Sequence, residues 1–140
     1  MAILTFVEVS EGKIKKASLE AASYASKVAE TTGTESVALI LGEASADEAA
    51  SLGKVGVKKV LHTADARFNA FDSKLFAKAT AEAAEKTGAD LVVLSFNQNG
   101  KLLGPHIAVR TGAGYVPEAA ELPTFEGGKL TAKKIYELWS

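Results

Sequence analysis

The chain opens on an apolar run, Ile3-Leu4-Thr5-Phe6-Val7, and predicts a first strand over Ile3–Val9 with Glu8 closing it. Ser10-Glu11-Gly12-Lys13 follows as a turn. Leu19, Ala22, Ala25, Val28 and Ala29 then recur at helical spacing, opposite Glu20, Lys27 and Glu30. Ser18 either caps this helix or lies inside one that starts a residue or two earlier; Gly33 ends it. Ser36–Leu41 is a second apolar strand, broken by Gly42. Ser45 and Glu48 have the spacing of a capping box and open a short alanine-rich helix that ends near Gly53. A third strand spans Val55–His62, and Ala64–Phe71 is a loop. A long amphipathic helix starts at Asp72 or Ser73 and runs to Thr87, where Gly88 closes it. Leu91–Phe96 is continuously apolar at its start, as a strand covered on both faces must be.

Strand and helix thus alternate four times, which predicts an α/β fold: a mostly parallel sheet with helices on both faces. Right-handed crossovers leave a Rossmann-like order, with strands one and four adjacent at the switch point. Ligands gather at the carboxyl ends of such strands, so the polar stretch Asn97-Gln98-Asn99-Gly100-Lys101 draws attention. It reads as a loop. Pro105 has no N–H and suits a first helical turn, so the regular helix is expected near Leu102 or later, with Gly100 and Pro105 shaping the junction. Beyond Gly112 the pattern becomes extended from Tyr115 to Phe125, and Pro117 and Pro123 argue against a central strand. Glu126-Gly127-Gly128-Lys129 reads as a hairpin turn and Leu130–Tyr136 as its returning strand. The expected organisation is one domain over 1–140, with a core over about 1–113 and an extended hairpin segment over about 114–140. Ile135–Trp139 is an apolar end that either docks on the domain or leads into something larger.

Composition narrows the function classes. Sixteen basic and seventeen acidic side chains give a net charge of −1, so no whole-chain field draws nucleic acid or an anionic membrane. Cysteine is absent, which removes disulfides, thiolate nucleophiles and thiolate metal sites together. No apolar stretch approaches the ~20 residues of a membrane helix. The first residues lack the basic region of a signal peptide, and a cytoplasmic location is expected.

Candidate chemistry is sparse. Asn97–Lys101 reads as a phosphate cradle or as an ordinary helix start, and the second is the better reading. Gly100-Lys101 lacks the earlier glycine and the following hydroxyl of a phosphate loop, and no spaced glycines follow strand one. Tight AMP or ATP binding is therefore not expected. His62 and His106 have no metal-ligand spacing, and Ser95 lacks the glycines of a nucleophile elbow. Glu8, Asp65 and Arg67 are placed toward the sheet edge of Asn97, either as an acid–base pair or, more simply, as solvated loop charges. His106 and Arg110 share a helix face that suits an acidic partner, or water. No catalytic, cofactor-binding or metal-ligating residue is predicted, and the chain is read as a non-enzyme.

Asn99-Gly100-Lys101-Leu102-Leu103-Gly104-Pro105-His106-Ile107-Ala108-Val109-Arg110-Thr111-Gly112-Ala113-Gly114 resembles a glycine–proline–arginine helix of the electron transfer flavoprotein alpha subunit, N-terminal domain. Gly100, Leu103, Pro105, Ala108, Arg110, Gly112 and Gly114 fall on that pattern. Phe6-Val7-Glu8, Lys16–Glu20, Val57–Val60 and Glu118–Leu122 are similar to further family segments, in the same order. Lys101, Leu102 and His106 depart from it, standing where arginine, aspartate and arginine are usual. The family's flavin-binding C-terminal domain has no counterpart in these residues. The resemblance implies a three-layer Rossmann-like fold of the adenine nucleotide alpha hydrolase-like type. It implies a heterodimer with the electron transfer flavoprotein beta subunit, which carries AMP, and electron delivery from acyl-CoA or other dehydrogenases to FAD. This domain would then be scaffold and partner surface. The junction and partner-contact candidates are Asn99, Gly100, Lys101, Pro105, His106 and Arg110. The alternative is a stand-alone adenine-nucleotide-binding domain like the universal stress proteins.

Overall fold

A computed structural model describes residues 2–95 and 98–112, and the backbone of residues 114–119 and 134–138. Strand β1 (Ala2–Val7) is buried at every position. After it comes a miniature hairpin, β2 (Val9–Ser10) and β3 (Lys13–Ile14), paired Val9 to Ile14 and Ser10 to Lys13. Its two turn residues, Glu11 and Gly12, have φ of 53° and 79°. That is the left-handed geometry a two-residue hairpin loop needs, and glycine supplies half of it without strain. Strand one therefore ends at Val7, and Val9 belongs to the hairpin.

Helix α1 spans Lys16–Thr32 and ends at Gly33, which sits at φ 69° as a left-handed cap. The helix starts two residues before Ser18, so Ser18 lies within its first turn and does not cap it. Strand β4 (Glu35–Leu41) leads to α2 (Ala46–Ser51). Ser45 Oγ accepts from the Glu48 N–H at 3.2 Å, but Glu48 does not complete a capping box. Its Oε2 instead accepts from the Ile14 N–H at 3.0 Å and ties β3 to the body of the domain. A tight turn over Leu52–Val55 and Gly56 delays strand β5, which runs Lys59–Thr63. Helix α3 (Ser73–Thr87) is capped by Asp72, whose carboxylate accepts from the Leu75 N–H, and ends at Gly88 with φ 66°. Strand β6 is Ala89–Ser95.

Helix α4 covers Gln98–Thr111 and begins four residues earlier than Pro105 suggested, so most of the expected Asn97–Lys101 loop is helix. Phe96 and Asn97 themselves lie outside the described residues. Pro105 sits in the helix interior, a position that costs an isolated helix about 3 kcal/mol. Packing offsets this: Leu103 and Ile107 flank the proline in sequence, are fully buried, and join the core shared with α3. Gly100 is a buried residue of the helix itself and not a loop hinge.

Strands β7 (Gly114–Ala119) and β8 (Lys134–Leu138) complete a sheet of order β5-β4-β1-β6-β8-β7. Every neighbouring pair in it is parallel. Strands one and four of the sequence reading, β1 and β6, are adjacent as expected. β7 and β8 do not form the expected hairpin, because they run parallel and parallel strands need a long crossover in place of a tight turn. Residues 120–133, including Glu126–Lys129, lie outside the described residues. Pro117 falls on the edge strand, where the register shifts between Val116 and Ala119; a residue without an N–H is tolerated there.

The two faces of β1 divide the core. Ala2, Leu4 and Phe6 pack toward α3 and α4, with Phe76 edge-on to Phe6 and Phe68 at centroid distances of 6.0 and 5.3 Å. Ile3 packs with Ala21, Ala25 and Val28 of α1, and Val7 with Ala22 and Leu52. The fold is thus three-layered, with α1 and α2 on one side of the sheet and α3 and α4 on the other. Each large side chain so buried is worth roughly 1.5–3 kcal/mol in removal from water.

Candidate functional site

In a doubly wound sheet the connections leave two central neighbouring strands toward opposite faces, and the gap between them is where ligands settle. Here those strands are β1 and β6. Glu8 follows β1 directly, Ser95 ends β6, and the N-terminal turns of α1 and α4 supply Ser18 and Asn99.

Glu8 is 8% exposed. Its Oε1 accepts from Lys15 Nζ at 2.8 Å and from Asn99 Nδ2 at 2.6 Å. Its N–H donates to Ser18 Oγ at 2.8 Å, and its carbonyl accepts from the Lys15 N–H at 3.0 Å. Ser18 Oγ lies 3.4 Å from Ser95 Oγ, and both serines are buried. The network joins β1, α1, β6 and α4 across the switch point. Burial demands it: a carboxylate taken out of water must be paired and hydrogen-bonded. The reading of Glu8 as a solvated loop charge is therefore corrected. Nearby in sequence, the Thr5 hydroxyl is fully buried and has no hydrogen-bond partner among the described residues.

The arrangement does not suit an anionic cofactor group. A flavin or nucleotide pyrophosphate at this edge would meet the Glu8 carboxylate, and Lys15 is already paired with that carboxylate. Repulsion between like charges in a partly buried site costs more than the same pair in water.

The other predicted residues separate. Asp65 does not join Glu8 as an acid–base pair; it has its own partner. Its Oδ1 accepts from the Arg67 N–H at 2.9 Å and its Oδ2 from Arg67 Nε at 3.2 Å, closing a short turn. Those two bonds, the backbone one foremost, hold the Asp65 carboxyl below the usual carboxylate range. His62 is exposed at the end of β5, and its Nε2–H donates to the Gly42 carbonyl at 2.7 Å. Of the α4 candidates, Asn99 and Gly100 turn inward, whereas Lys101, Pro105, His106 and Arg110 are exposed. Sequence reasoning missed Lys15, Ser18 and Ser95. The available signal was Glu8 itself, a carboxylate placed directly after a strand of buried residues.

Away from the switch point, an open groove of about 620 Å³ lies between α1 and the Leu52–Val55 turn, lined by Ser23, Ser26, Lys27, Lys54 and Lys58 among others. Another, of about 860 Å³, runs beside β5 and α3 and includes His62, Arg67 and Glu82. Among the described residues no helix is long and apolar enough to cross a membrane.

A parallel, doubly wound α/β domain whose switch point is bridged by its own side chains is the class that fold and site define. The chain belongs to the electron transfer flavoprotein domain family, whose model matches residues 3–137. It is 26% identical over 120 residues to an electron transfer flavoprotein subunit alpha of Clostridium acetobutylicum, covering 86% of this chain and 36% of that protein. It is 25% identical over 120 residues to the acryloyl-CoA reductase electron transfer subunit beta of Anaerotignum propionicum, covering 86% and 33%. The chain spans about a third of the length of these curated relatives. A solved universal stress protein in complex with cAMP superposes with a TM-score of 0.48 at 14% identity, over 79% of this chain and 90% of the other. Electron transfer flavoproteins, as a family, are electron carriers and not enzymes.

Proposed function

We propose that this chain is the N-terminal scaffold and partner-contact domain of an electron transfer flavoprotein alpha subunit, acting as one α/β domain in the cytoplasm. It packs against the beta subunit, and the heterodimer passes electrons from dehydrogenases through FAD held outside this domain. AMP belongs to the beta subunit. One of the relatives is an electron transfer subunit of an acryloyl-CoA reductase, which supports an enzyme of acyl-CoA thioesters as the redox partner. The observation that carries the scaffold reading is the Glu8–Lys15–Asn99 network, which places a buried carboxylate where a phosphate would have to enter. Three measurements test it together. Light scattering of the purified chain mixed with a purified beta subunit should give a one-to-one complex. The chain alone should be colourless and should leave the fluorescence of titrated FAD unchanged. Calorimetry with AMP should reveal no site tighter than about a millimolar, equivalent to ~4 kcal/mol. A micromolar AMP site would replace this reading with a stand-alone nucleotide-binding domain; a yellow protein or saturable FAD quenching would show that the domain holds flavin itself.

A further inference from the structure

Among the described residues, the large apolar side chains left exposed are Leu102 and Val109, at 50% and 84%. Both are on α4. Seven residues are close to two turns of helix, so the two side chains lie along one line, with exposed Pro105 beside them. Cations bound this line on both flanks. Arg110 is displaced from it by roughly 80° around the helix and Lys101 by roughly 100° the other way. His106 stands between the line and Arg110. α4 carries no carboxylate, so the rest of a chain of net charge −1 is net −3. A cationic helix with an exposed apolar ridge is therefore a local feature and not a reflection of overall composition.

We infer that this ridge is a docking surface for a folded protein that presents an apolar groove bordered by carboxylates on both sides. The charge pattern selects that occupant. The ridge enters a groove as an amphipathic helix does, burying Leu102, Pro105 and Val109, while Lys101 and Arg110 meet acidic rims. Opposite charges at the rims set register and association rate, and the apolar centre supplies the affinity. A second copy of this chain docking ridge to ridge is a poorer occupant, since it would bring cation against cation. The inference rests on the scaffold reading above and assigns its contact face and the chemistry of the partner.

The test is calorimetric titration of the full chain against a purified electron transfer flavoprotein beta subunit. Three variants are compared with the parent: Leu102→Glu combined with Val109→Glu, Arg110→Glu alone, and Lys54→Glu combined with Lys58→Glu on the groove beside α1. All the substituted side chains are exposed, and far-ultraviolet circular dichroism with urea melting confirms that each variant folds. The inference expects both α4 variants to bind at least tenfold more weakly and the Lys54/Lys58 variant to match the parent. It also expects affinity to fall as salt rises from low to several hundred millimolar, where rim charges are screened. Binding of the parent with no loss in the α4 variants would overturn the inference and leave the scaffold reading standing. No binding by the parent would remove both. A parallel titration uses vesicles of phosphatidylcholine with 30% phosphatidylglycerol. Vesicle binding that the Leu102/Val109 variant abolishes would make the ridge a membrane contact and overturn the protein partner.

Discussion

Asn99 Nδ2 donates to Glu8 Oε1 over 2.6 Å, joining the first turn of α4 to the end of β1 across 91 positions of sequence. A bond to a buried carboxylate is stronger than one between neutral groups. Asn99→Ala should therefore destabilise the chain by about 1.5–3 kcal/mol. Urea unfolding would show this as a lowered midpoint at unchanged slope. In a double-mutant cycle with Glu8→Ala the two effects should fall short of additivity, because each variant removes the same shared bond. Additive losses would mean that the bond contributes nothing of its own.

Thr5 offers the opposite sign. Its hydroxyl is buried without a partner among the described residues, in the middle of a strand that has β4 and β6 on either side. Thr5→Val keeps the shape, suits a strand, and removes the cost of an unsatisfied polar group. A stabilisation of about 1 kcal/mol is expected in urea melts. A destabilised variant would show that the hydroxyl has a partner after all.

Gly56 and Gly53 form a matched pair of tests in the same turn. Gly56 has φ +99°, and a Cβ there would stand 2.9 Å from Ser26 Cβ; a Cβ at Gly53 would meet nothing within 4 Å. Gly56→Ala should cost roughly 1–3 kcal/mol from strain and overlap. Gly53→Ala should be neutral or stabilising by up to ~1 kcal/mol through the unfolded chain. Equal melting points for the two variants would contradict the geometry.

The Asp65 carboxyl should titrate below the usual carboxylate range, followed by its side-chain carbon resonance. The backbone N–H of Arg67 contributes most and the guanidinium less. Arg67→Gln should therefore return the midpoint only part of the way, while Asp65→Asn abolishes the turn's charged cap. A depressed folded value means that the contribution is present above the ordinary carboxylate range. It is lost as pH falls through the depressed value. Full return in Arg67→Gln would assign the shift to the guanidinium alone.

Local rules placed much of this fold from residue types. Gly33 and Gly88 end helices at positive φ, Asp72 and Ser45 cap them, and the apolar runs of β1, β4 and β6 lie where they were expected. What escaped was set by contacts distant in sequence. Pro105 predicts a helix start only when local backbone chemistry decides; here buried Leu103 and Ile107 carry the helix past it. Glu48 has the spacing of a capping box, but Ile14 competes successfully for its carboxylate. Glu8 reads as a loop charge until Asn99 and Lys15 are seen around it. Of the proposed docking face, His106 and Arg110 at helical spacing suggested the cationic part, while the exposure of Leu102 and Val109 depends on which side of α4 meets the sheet.

The place of β8 between β6 and β7 carries a consequence for synthesis. A ribosome delivers β7 before β8, yet β7 has β8 as its neighbour in the sheet. Until Lys134–Leu138 have emerged, the nascent chain holds β6 with one flank bare and β7 with no strand to bond. Such unpaired edges invite pairing with other chains. The five residues of β8 thus act as a closing wedge. A ribosome stalled before Lys134 should present a species that chaperones capture, whereas the released full chain should present a protease-resistant sheet.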